Sequence, residues 1–147
     1  MMNLDAFLRH VAGLSADARR AQQAGLHEAA DTIADAARAK IGEYQGAAGP
    51  FPAWRQLAES TREDRERKGF SPNDPLLRTG EMRDSIETAV GADHAAIGSN
   101  SEVAVHQELG TKTIPPRPFL GPAGFENAER VAQSIGERVA RAVAGKP

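Results

Sequence analysis

Gly98-Ser-Asn-Ser-Glu-Val-Ala-Val-His-Gln-Glu-Leu-Gly-Thr-Lys-Thr-Ile-Pro-Pro-Arg-Pro-Phe-Leu-Gly-Pro-Ala123 is the most constrained stretch of the chain, and its reading sets the order of everything around it. Ser99 followed by Glu102 has the spacing of a capping box, which satisfies two orphan amides at a helix start. That spacing predicts a short helix over 100–108, stopped at Leu109-Gly110, where glycine supplies a left-handed backbone. Pro115, Pro116 and Pro118 then fix φ near −65° and hold 114–121 as an extended, proline-rich arm. Gly121-Pro122 breaks the arm and puts proline in the first turn of a second helix, where its missing amide costs nothing.

Working outward, Phe125, Ala128, Val131, Ala132, Ile135, Val139 and Val143 predict a strongly amphipathic helix over about 122–144. Upstream, Ile86, Thr88 and Val90 alternate with Glu87 and Ala89, the period-two pattern of a half-buried strand. Gly91 to His94 reads as a hairpin turn returning through Ala95 to Gly98. Thr79 is a candidate cap for a helical turn at Glu81-Met82. Farther back, 46–76 is rich in glycine and proline and reads as a long irregular insertion, expected to be the mobile part of the subunit. Within it, Trp54 and Leu57 look like an anchor to the body, and Ser60 with Glu63 has the form of another capping box. Thr61 to Lys68 is charged on every side, so a helix there has no apolar stripe with which to pack.

At the start, Asn3 or Asp5 opens a short helix carrying Leu4, Phe7, Leu8 and Val11 on one face, with an interruption expected at Gly13 and Ser15. From Ser15 to Ile41 an alanine-rich helix follows, with Gln22, Leu26, Ala29, Ile33, Ala37 and Ile41 at helical spacing. So small a face is expected to lie close against something flat, such as a sheet. The fold expected is α+β in a single domain, 1–147: a small antiparallel sheet with two long helices packed on one face, plus the insertion.

Composition narrows the function. With 147 residues, 40% hydrophobic and 26% charged, the chain has an ordinary globular balance. A formal net charge of −2 lacks the basic excess of a nucleic-acid binder. There is no cysteine, hence no disulfide and no thiolate metal site. Neither a membrane span nor a signal peptide is expected, since no apolar run approaches 18 residues.

His94, His106, Glu102 and Glu108 are the candidates for catalysis or metal binding. On a helix His106 and Glu108 diverge by about 200°, so they cannot chelate one ion. Ser85 and Ser99 lack the glycine-flanked elbow of a serine nucleophile. No cofactor and no enzymatic activity are expected. Arg117, held between two prolines, has two readings. It caps helix carbonyls or pairs with an acid such as Glu108 within the subunit, or it reaches an acid or carbonyl of an adjacent one.

These residues resemble, in order, the tail-completion (virion morphogenesis) proteins of tailed bacteriophages. Trp54, Leu57 and Thr61 match that family's tryptophan-leucine-threonine segment. Leu77, Thr79-Gly80, Met82, Arg83 and Ser85-Ile86 match its "leucine, threonine-glycine, hydrophobic, arginine, serine-isoleucine" signature. Gly98-Ser99, Ala104, His106, Gln107 and Gly110-Thr111 are similar to its glycine-serine and alanine-histidine-glutamine-glycine elements. Pro115, Arg117-Pro118-Phe119-Leu120 and Pro122-Ala123 resemble its proline-arginine-proline-phenylalanine ending. The resemblance covers about 54–125, and Val103 stands where family members commonly carry an aromatic residue.

The resemblance implies a non-enzymatic structural protein of a phage or prophage virion, made in the host cytoplasm, completing the tail or joining tail to head. Its partners would be its own copies in a homo-oligomeric ring and other neck or tail proteins. DNA would only pass through the lumen, and no membrane is involved. Interface candidates are Trp54, Arg83, His106, Gln107, Arg117, Phe119 and Leu120. A monomeric binding module or toxin-like effector of mobile-element origin is the alternative.

Overall fold

Asn3 begins the longest element: its Oδ1 accepts from the Ala6 amide at 2.8 Å and caps α1, Leu4–Lys40. The computed structural model describes residues 3–145. The expected break at Gly13 and Ser15 does not occur, and α1 runs unbroken for 37 residues. A single glycine costs a helix interior only about 1 kcal/mol, and alanine-rich sequence on both sides propagates through it. At 1.5 Å per residue this helix is roughly 55 Å long.

After α1 come α2 (Glu59–Arg67), α3 (Glu81–Asp84), β1 (Ile86–Val90), β2 (Ala95–Ser99), α4 (Glu102–Leu109) and α5 (Leu120–Val143). The class is α+β. The hairpin is antiparallel with Ile86 opposite Ser99 and Val90 opposite Ala95, and the Gly91 amide closes its turn on the His94 carbonyl at 2.8 Å. Of β1, only Ile86 is fully buried while Thr88 is exposed, so the outer half of the hairpin stands clear of the core.

The small face of α1 serves chiefly a helix. Gly25, Ala29, Ala30, Ala34 and Ala37 are buried, and α5 packs along α1, with the two strands against α1 nearer its C-terminal end. Without side chains of any length in the way, the two helix axes come close. A Cβ on Gly25 would sit 3.0 Å from Ile135 Cγ1. The pair is antiparallel: Lys40 bonds Glu126 at 2.8 Å at one end, and Arg138 bonds Glu28 farther along. Ala34, Ala37, Ile41, Trp54, Met82, Ile86, Ala104, Phe119 and Ala123 form the core where α1, β1, α4 and the start of α5 meet.

Neither expected capping box forms. Ser99 is the last residue of β2, so its backbone is committed to the ladder; its Oγ accepts from the Ser101 amide at 3.0 Å and lies 2.6 Å from Ser85 Oγ. The helix then starts at Glu102 without a side-chain cap. Likewise α2 starts after Ala58 with no side-chain cap, one residue ahead of Ser60. Thr79 does assist the next helix, accepting from the Glu81 amide at 3.3 Å.

Candidate interaction surfaces

The arm is built from both of its ends. Gly110, at φ +74°, turns the chain out of α4; a Cβ there would lie 3.0 Å from the Ile114 carbonyl oxygen and the Pro116 ring. Thr111 Oγ1 accepts from the Ile114 amide at 3.0 Å, and the Thr111 amide donates to the Ile114 carbonyl at 2.8 Å, forming a small loop before the prolines. The Arg117 amide then returns to α4 by donating to the Gln107 carbonyl at 2.7 Å.

Glu108 does what no serine or aspartate at the start of α5 could do. Its carboxylate accepts from the amides of Phe119 at 2.7 Å, Leu120 at 2.9 Å and Gly121 at 2.7 Å. These are orphan donors of a helix start, and the carboxylate also meets the positive end of the helix dipole. The signal was present in the sequence as an absence: Phe119 precedes α5 and has no capping oxygen.

Arg117 is bonded within the subunit, neither to helix carbonyls nor to an acid. The side chain is 5% exposed; Nε donates to the Arg55 carbonyl and Nη2 to the Gln56 carbonyl, each at 3.0 Å. Glu108 is not its partner, because that carboxylate is already committed to α5. Phe119 is completely buried, and Trp54 is buried with Nε1 donating to the Pro118 carbonyl at 2.8 Å. Together these residues bind the arm and the 46–58 loop into one body. Of the remaining interface candidates, His106 is exposed on α4, whereas Arg83, Gln107 and Leu120 are half-buried.

The charged helix α2 is held by one of its own charges. Arg65 is buried, and its Nη1 donates to the Asp74 carbonyl at 2.6 Å and the Leu77 carbonyl at 3.1 Å. An arginine can replace the missing apolar stripe because its stem packs while its fork satisfies carbonyls. Burial pushes the guanidiniums of both Arg65 and Arg117 below the usual arginine range.

Two apolar faces have no partner in the subunit. α5 ends at Val143, eight residues past Ile135, so pairing from the Gly25–Ile135 contact carries it only to about residue 17 of α1. The turns beyond that point carry Leu4, Phe7, Leu8 and Val11 along one side, between 44% and 70% exposed. At the opposite end of the molecule α4 presents Val105 and Leu109 on one side, 51% and 74% exposed, with Val103 about 200° round the helix.

Among the described residues there is no group of three His, Asp or Glu side chains that could hold a metal ion. No helix among them is long and apolar enough to cross a membrane. Comparison with curated proteins and with solved structures gave no match. The model of the phage virion morphogenesis family matches residues 2–144, almost the whole chain and well beyond the 54–125 span of the sequence motifs. On that match, the chain belongs to the phage virion morphogenesis family.

Proposed function

We propose that this chain is a non-enzymatic structural protein of a phage or prophage virion, which completes the tail or joins tail to head as a homo-oligomeric ring. Family membership supports an assembly role. The observation that carries the ring is the pair of unlike apolar faces at opposite ends of a roughly 55 Å helix. Monomers seldom leave such patches uncovered. Two different surfaces that cover each other between copies make a heterologous contact, and such contacts generate closed rings when the rotation closes.

In that arrangement the Leu4/Phe7/Leu8/Val11 stripe of one copy lies on Val105 and Leu109 of the next. Arg9 beside the stripe and Glu102 in the first turn of α4 supply opposite charges at the rim. The chain would be made in the host cytoplasm and contact other neck or tail proteins in the virion, with DNA passing through the lumen. The test is loss of the chain during particle production. Electron micrographs should then show heads and tails unjoined, or tails unfinished. Normal tailed particles in its absence would overturn the proposal.

A further inference from the structure

Between the 55–58 loop, α2 and the proline-rich arm lies an open pocket of about 480 Å³. Arg65 and Arg117 line it, with Arg55, Gln107, Leu57 and Pro115. Arg65 and Arg117 are more than nine-tenths buried, and neither is in a salt bridge with a described carboxylate. Their hydrogen bonds go to backbone carbonyls, which solvate a guanidinium without neutralising it.

A guanidinium has five N–H donors. Nε and Nη2 of Arg65 and Nη1 of Arg117 take no partner among the described residues. These atoms are not sealed in, unlike Gln107 Oε1, which is buried with no partner at all. Burial chiefly depresses Arg117 and Arg65 repels it, with no carboxylate acting on it, whereas the burial of Arg65 is offset in part by the nearby Asp74 carboxylate. A buried guanidinium without an acid, as at Arg117, is costly, and here it borders an opening.

We propose that this pocket receives a carboxylate, the acidic side chain of a neighbouring protein chain, on Arg117 and Arg65. Arginine's planar fork matches a carboxylate with two parallel bonds. The apolar walls, Leu57 and Pro115, suit the methylenes of an aspartate or glutamate better than a hydrated phosphate. The neighbouring chain as the source rests on the assembly reading above; the anion site itself does not.

The experiment titrates the full-length subunit with N-acetylglutamate amide, whose one carboxylate ends a glutamate side chain. Sodium chloride and inorganic phosphate at matched ionic strength are the controls, and the Nε–H resonances of Arg65 and Arg117 are followed by NMR. The expected result is a saturable shift of both resonances with the carboxylate and not with the controls. Gln107→Glu, which installs a carboxylate in the pocket, is expected to raise the melting temperature near neutral pH by about 3 °C and to abolish the response to the probe.

No saturable shift, a response matched by chloride, or a response to phosphate alone overturns the proposal. So does a Gln107→Glu protein that melts lower and still binds the probe. Because the titration reads the isolated subunit, its failure leaves the particle experiment standing, and the failure of that experiment leaves the titration standing.

Discussion

Glu108 and Arg117 act on the same arm from opposite directions, and their roles separate by charge. Glu108 gathers three backbone amides at the head of α5, where a neutral amide side chain could accept only at one oxygen. Glu108→Gln is therefore expected to lower stability by about 1–2 kcal/mol in urea unfolding, with the α-helical signal of the folded state kept. Arg117→Ala strips the Arg55 and Gln56 carbonyls of their donor inside the subunit, and about 2 kcal/mol should be lost. A variant that unfolds within roughly 1 kcal/mol of the parent would mean water replaces the guanidinium at no cost. The flanking prolines made Arg117 conspicuous in the sequence. Its partners were not legible, because those carbonyls stand 61 and 62 residues earlier and any residue type carries a carbonyl. Trp54 was legible as an anchor for the opposite reason, since a lone tryptophan after a proline-rich loop has few ways to be satisfied except by burial.

Among the elements, periodicity located the hairpin and α5 to within a few residues, and the amphipathic pattern of α5 is the clearest in the chain. It misjudged α1 at Gly13, where a local glycine penalty was weighed without the cooperativity of the helix around it. It also assigned the small face of α1 to a flat sheet, when α1 packs chiefly along α5, closely so at Gly25 and Ile135. Alanine and glycine report that something comes close and carry no information on what does. Gly25→Leu should overpack that crossing and lower stability by about 1–3 kcal/mol, read by thermal unfolding. An unchanged melting temperature would show that α5 shifts freely away from α1. The insertion is tied down at Trp54, Leu57 and Arg65, yet α2 keeps most of its length on the surface. Limited trypsin digestion should cut first after Arg67 or Lys68, with Arg65 protected by its buried side chain. First cuts within α5 would reverse this ranking of local stability.

At the scale of the whole molecule, the helical stripe of Leu4, Phe7, Leu8 and Val11 was plain in the sequence, but its lack of a partner was not. Amphipathicity says that a face wants cover, and only the length of α5 shows that the subunit does not provide it. The consequence can be measured by separating fold from assembly. Phe7→Ser combined with Val11→Ser removes apolar surface that is already about half exposed, at positions where α1 touches no other described element closely. Such surface changes alter stability by about 0.5 kcal/mol or less apiece, so the variant should melt close to the parent. Native mass measurement should find the parent as a closed oligomer at concentrations where the variant is a monomer. The complementary variant, Val105→Ser with Leu109→Ser at the far end, should give the same monomer. Mixing the two variants should restore at most a pair, because each copy then keeps one intact face and only one intact junction can form. A parent that stays monomeric at every concentration, or double variants that still assemble, would remove the apolar ends from the account of how copies meet.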